Sequence, residues 1–112
     1  MKEDSLYEFF YDLIEQVPTG KVATYGDIAR MADCRSARAV GFDLNQLPEG
    51  SNVPWHRIIN SQGKISTRVN DEGELVQQIL LEEEGIEQTG TLFDLTEFQY
   101  YKVIKNLYEG NV

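Results

Sequence analysis

Leu6, Phe9, Phe10, Leu13, Ile14 and Val17 recur at steps of three and four, the stripe of an amphipathic helix. Pro18 and Gly20 end it. A second, shorter pattern follows in TYGDIARMA: Thr24 can cap a helix with Asp27 three residues on, a capping-box variant, and Ile28 and Met31 supply a buried side. Ser36 can cap a third helix in which Ala37, Val40, Gly41, Leu44 and Leu47 keep helical spacing until Pro48, Glu49 and Gly50 stop it. Two short helices across the tight DCR connection predict a helix-turn-helix. Further on, RIIN and KIS flank Ser61, Gln62 and Gly63, and β-branched residues beside a glycine turn predict a short hairpin. Residues 71–84 read as a helix with Leu75, Ile79 and Leu80 inward and Gly85 as its stop. Phe98, Tyr101, Ile104, Leu107 and Tyr108 predict a last helix.

This alternation of mainly helical segments with a short hairpin is a mixed α/β domain. At 112 residues and 41% hydrophobic composition, the chain suits a single domain, residues 1–112. Its N-terminus lacks the basic patch and cleavage site of a secretory leader, and its apolar runs are too short for a membrane span. An intracellular protein without membrane contact is expected, cytoplasmic if bacterial and nuclear if eukaryotic. The single cysteine, Cys34, and the single histidine, His56, are too few for a zinc set. No metal or cofactor is expected.

Net charge is -9, which opposes binding to a polyanion as a whole. Its distribution changes that picture. Residues 1–19 carry one base against five acids, residues 20–70 seven bases against four acids, and residues 71–112 two bases against ten acids. Positive charge is thus confined to the segment that holds the helix-turn-helix, either by chance or as a local polyanion site on a self-repelling surface.

That basic segment contains NVPWHRIIN. Alone, Trp55 reads more readily as a packing anchor and His56 as a structural histidine. Together with a proline-fixed turn, hydrogen-bonding neighbours and an upstream basic helix-turn-helix, they point to nucleic acid.

The run PTGKVATYGDIARMA, then SARAVG, VPWHRIINSQGKIS and LLEEEG, resembles the DNA-binding domain of the O6-alkylguanine-DNA alkyltransferases over about residues 6–87. Those enzymes have a cysteine between the proline and the histidine, and it takes the alkyl group from the damaged base. Here the position is Trp55, as in the alkyltransferase-like proteins, which keep the lesion-binding fold without the reactive thiol. An indole is a poor nucleophile, so no transfer is expected and the protein is read as a non-enzyme.

The resemblance implies a winged helix-turn-helix-like fold whose second helix enters the minor groove. It implies that Ala37 and Gly41 permit close approach, that Arg38 fills the vacated base stack, and that Tyr25 pushes on the phosphate of the flipped nucleotide. Read without the family, Arg38 is a solvated helix charge and Tyr25 a packing residue. The resemblance also places Trp55, His56, Arg57, Arg68 and Glu84 at the lesion pocket, with His56 and Glu84 bracing its floor, Arg57 tying down the turn and Arg68 at the rim. Phe42 and Asp43 depart from the small or basic residues expected of this helix, Leu47 replaces an asparagine, and the Asp43 carboxylate is expected near phosphates. The partners implied are duplex DNA containing O6-alkylguanine and nucleotide excision repair proteins, met by a monomer. The competing expectation is an interaction or regulatory module that kept the fold and lost DNA binding.

Overall fold

The computed structural model describes residues 3–48, 50–65 and 71–101. Helix α1 (Glu3–Glu15) turns Phe10, Leu13 and Ile14 inward, and Val17 just beyond it is equally buried. Phe9, at the edge of the stripe, stays over a third exposed. Strand β1 (Ala23–Thr24) leads directly into α2 (Tyr25–Met31). The Thr24 side chain accepts from the Asp27 amide and the Asp27 carboxylate accepts from the Thr24 amide, both at 3.0 Å. This is the reciprocal capping box. Asp27 also receives Arg30 and Gln99, which satisfies a carboxylate that is otherwise buried. Met31, expected inward, is 40% exposed, because Ile28 and Ala29 already face the core from this short helix.

The helix-turn-helix connection is made by backbone geometry. Asp33 takes φ 54°, Cys34 donates its amide to the Ala29 carbonyl at 2.8 Å and Asp33 donates to Arg30 at 3.0 Å. These are the two bonds of a Schellman stop with aspartate where glycine is commoner. Ser36 then caps α3 (Ala37–Leu44) through the Ala39 amide. Val40, Asp43 and Leu44 of α3 face inward.

The hairpin expected around Ser61–Gly63 is corrected. Ile58 and Ile59 form β2 (Ile58–Ile59), which pairs in parallel with β1, Ala23 opposite Ile58 and Thr24 opposite Ile59. Both isoleucines are fully buried. Side chains alternate across a strand, so Ile58 enters one apolar cluster, with Phe10, Ile28 and Val40, while Ile59 enters another, with Val22, Leu81, Ile86 and Phe93. A hairpin with one solvated face would expose one of them. The glycine turn itself forms, with Asn60 donating to Lys64 and Gly63 to Asn60. A Cβ on Gly63 would lie 2.7 Å from the Phe93 carbonyl oxygen, a contact only glycine allows. The antiparallel hairpin lies elsewhere, in β3 (Gln88–Thr89) and β4 (Leu92–Phe93).

Helix α4 (Asp71–Glu83) stops as expected at Gly85, φ 81°. Ile79, expected inward, is 45% exposed, whereas Gln77 and Leu81 are fully buried. A polar residue takes the inward place because it has carbonyls to reach: the Gln77 amide donates to the His56 and Ile58 oxygens at 3.1 and 2.8 Å. The side chain of Leu75 lies outside the described residues. A short helix, α5 (Leu95–Phe98), capped by Asp94, ends where the last helix was expected to begin. The chain then bridges Val22 at Gln99, and Tyr101 is buried with its hydroxyl donating to the Leu13 carbonyl. Ile104, Leu107 and Tyr108 lie outside the described residues. Among those described, no helix is long and apolar enough to cross a membrane.

Candidate lesion pocket and nucleic-acid face

Pro54 precedes a single 3-10 turn, Trp55–Arg57, that runs straight into β2. Its geometry is fixed from both ends. Trp55 donates its amide to Val53 and Arg57 donates to Pro54, while the buried Gln77 amide holds the His56 and Ile58 carbonyls from below. The Trp55 ring meets His56 edge-on, centroids 6.3 Å apart, and packs partly against the main core. A cleft of about 420 Å³ opens beside the turn, lined by Val53, Pro54, Trp55, His56, Arg57 and Leu80 among others, a size in the range of small-molecule sites.

Glu84 is the hub beneath the turn. The α4 stop positions it: Gly85 donates to Glu82 and Ile86 to Leu81, each at 3.0 Å, so the chain reverses at Glu84 with Ile86 folded onto the Leu81 cluster. One carboxylate oxygen accepts from the Gly20 amide and Arg57 Nε, both at 3.0 Å. The other accepts from His56 Nε2 at 2.5 Å and Arg57 Nη2 at 3.0 Å. Burial opposes the charge on Glu84, but the hydrogen bonds from Arg57, His56 and Gly20 outweigh it and hold the carboxyl below its ordinary value. A charged carboxylate can only accept, so the His56 proton sits on Nε2. Arg57 also donates to the Val17 carbonyl and the Thr19 hydroxyl, both at 2.9 Å. The guanidinium therefore ties the turn to the end of α1 as well as to α4, using the planar donor fork that lysine lacks.

Tyr25, Ala37, Arg38 and Gly41 do not line this cleft. Tyr25 starts α2 and its ring lies over Gly41, where a Cβ would meet it at 3.8 Å. Ala37 and Arg38 are exposed at the start of α3. Since β1 leads into Tyr25 and pairs with the strand that follows Arg57, the parallel ladder fixes the α2–α3 unit relative to the pocket turn. Arg68 lies outside the described residues. Cys34 is half-buried in the helix-turn-helix connection with its thiol directed to the Ser36 carbonyl.

Asp43 is corrected. Its side chain turns inward, only 2% exposed, and receives the Tyr11 hydroxyl at 2.8 Å. Its second carboxylate oxygen is buried without a hydrogen bond. Burial raises the Asp43 carboxyl above its ordinary value, the Tyr11 bond opposing. Burial first, then the Asp43 bond and charge, push the Tyr11 phenol up to about 12. The carboxylate expected among phosphates is thus withdrawn from the outer face of α3. Leu47 packs against the core. Sequence reading passed over Gln77, although it lies on the Glu84 stripe seven residues back, and it passed over Thr19 and Tyr11, for which no local signal exists.

Known proteins share this sequence pattern and fold. Residues 5–86 match the family model described as the 6-O-methylguanine DNA methyltransferase DNA-binding domain. Alkyltransferase-like protein 1 of Schizosaccharomyces pombe is 48% identical over 88 residues, 78% of this chain and 82% of the relative. A DNA base-flipping protein of Vibrio parahaemolyticus is 54% identical over 78 residues, 69% of this chain and 76% of that one. The crystal structure of S. pombe Atl1 with damaged DNA containing O6-carboxymethylguanine superposes with a TM-score of 0.81 at 42% identity, covering 89% of this chain and 98% of Atl1. On the fold, the pocket turn and these matches, the chain belongs to the 6-O-methylguanine DNA methyltransferase DNA-binding family, among its alkyltransferase-like members.

Proposed function

We propose that this chain is a sensor of O6-alkylguanine in duplex DNA, which turns the damaged nucleotide into the cleft beside Trp55 and leaves the alkyl group in place. The observation that carries this reading is an indole at the head of a turn whose supports, His56, Arg57 and Glu84, are joined in one network. Extrusion of a nucleotide costs a few kcal/mol of stacking and pairing, so the receiving cleft must be preorganised, and this network does that. Trp55 supplies an apolar wall in place of a thiol, and displacement of an alkyl group needs an activated nucleophile. Cys34 does not line the cleft.

Arg38 fills the emptied stack and Tyr25 bears on the flanking phosphate, with Ala37 and Gly41 admitting the backbone of α3 to the minor groove. Arg68 forms part of the pocket rim. Readout there is degenerate, which suits a lesion found in any sequence context. The inward turn of Asp43 removes a repulsive charge from that face, and this supports DNA binding by a chain of net charge -9. A bound lesion that is not repaired is useful only as a flag, so the monomeric domain hands the complex to nucleotide excision repair.

The test compares a duplex holding one O6-methylguanine with its undamaged twin. Tighter binding to the damaged duplex, with the methyl group still on the DNA afterwards, is expected. Equal affinities refute the sensor, and absence of binding to both favours an interaction module. A methylated protein in the mass spectrum refutes the absence of transfer.

A further inference from the structure

We propose that Phe42 is a second DNA-entering side chain, an apolar wedge that seats in the minor groove beside Arg38 and sets the bend of the duplex. This rests on the lesion-sensor reading and adds to it a contact that does not report the lesion. Phe42 is 57% exposed, the most exposed of the chain's large apolar side chains among the described residues. It lies one helical turn after Arg38, and side chains four residues apart share a face. Val40, Asp43 and Leu44 point into the protein, so Arg38, Phe42 and Asn45 form the outward stripe of α3, with Ala37 and Gly41 flanking it.

The dimensions require the groove to yield. A helix with its side chains is about 10–12 Å across, and the minor groove of B-DNA is about 6 Å wide. A helix seated there must widen the groove. Small residues lessen the demand at Ala37 and Gly41, whereas a phenyl ring at position 42 increases it. Apolar side chains in this setting press between base steps, partly unstack them and kink the duplex away from themselves. Arg38 and Phe42, about 6 Å apart along the helix axis, would then act on neighbouring steps.

Charge favours DNA over a protein as the occupant. Arg38 is on the stripe and Arg35 is exposed at the approach to it, with Arg30, also exposed, paired to Asp27. Asp43, the sole acid within α3, is turned away and bonded to Tyr11. Asp33 is the exposed acid of the preceding turn. The face continues the one that carries Arg38, so the ring is buried by the same docking event.

The experiment titrates the full chain against the damaged duplex and its undamaged twin, and reads the bend by energy transfer between dyes at the duplex ends. Phe42→Ala is expected to weaken binding to both duplexes by about tenfold, since roughly half a phenylalanine surface is no longer removed from water and part of that gain is offset by ordering. The ratio between the duplexes stays as it was, and the bend decreases. Phe42→Leu keeps most of the affinity and bend. Phe42→Gln, similar in length and helix propensity but polar, behaves like the alanine variant. Unchanged affinity and bend in both Phe42→Ala and Phe42→Gln overturn the wedge and leave the sensor standing. If the wild-type chain binds the two duplexes equally, the sensor fails, and the wedge is then judged by whether Phe42→Ala still weakens both.

Discussion

Replacing Glu84 with Gln tests how the pocket turn is held. The carboxylate accepts from the Gly20 amide, His56 Nε2 and Arg57 Nε and Nη2. A glutamine offers one oxygen and one NH2 group. With its oxygen toward Gly20, the NH2 group faces Arg57 Nη2, which can only donate, and His56 Nε2, which must give up its proton to accept, in a site where the three side chains are only 12–15% exposed. Breaking one partner out of a buried ion pair costs about 3–5 kcal/mol, and the bonds Arg57 keeps to Val17 and Thr19 argue for the lower end, about 3 kcal/mol. That is a large part of the stability of a small domain, about 5–15 kcal/mol.

Urea unfolding at pH 7 should show this loss as a lower midpoint at unchanged slope. The pH dependence has a definite sign. Because the folded carboxyl lies below its ordinary value of 4.5, the stability it contributes is complete above that value and is lost as pH falls through the lower folded one. The gap between wild type and Glu84→Gln should therefore close below about pH 4.5. A variant within about 0.5 kcal/mol of wild type at pH 7, or a gap that persists undiminished at pH 3, refutes the assignment of Glu84 as the charged hub.

Arg38→Ala should change stability by no more than about 0.5 kcal/mol, since it is exposed and outside any buried network, yet lower the preference for damaged over undamaged duplex; unaltered preference in a fully folded variant refutes the stack-filling role. Tyr11→Phe removes the side-chain donor to the buried Asp43 carboxylate and should cost about 1.5–3 kcal/mol at pH 7. That loss should shrink on acidification, because without the Tyr11 bond, which opposes the rise, the folded Asp43 carboxyl becomes neutral at a higher pH in the variant than in wild type; a loss that grows as the pH falls toward 5 would contradict a buried charge there. Trp55→Cys is expected to weaken lesion binding and transfer little or no alkyl group, because the indole leaves a void and a misplacement of about 1 Å can cost on the order of a hundredfold in rate. Prompt, stoichiometric label on the new cysteine from a labelled O6-methyl duplex would show instead that Trp55 alone blocks an active site.

The sequence by itself determined the features that form within a few residues of chain. The Thr24–Asp27 capping box, the Ser36 cap and the Gly85 stop each join atoms no more than five residues apart, so their residue types suffice to specify them. The resemblance carried by the pocket and helix motifs was legible for a related reason, since each motif is a contiguous run. Tertiary structure decided what depends on distant partners. Ile58 and Ile59 suit any strand, and only the need to bury both faces pairs them with Ala23 and Thr24 instead of the residues after Gly63. Gln77 reads as a solvated helix residue until the His56 and Ile58 carbonyls come within its reach. Asp43 reads as an acid on the outer face of α3 until the hydroxyl of Tyr11, 32 residues earlier on α1, donates to it. A hydrogen bond or an apolar contact across such separations depends on how the helices pack, and polarity along the chain does not encode which side of a helix that packing will cover.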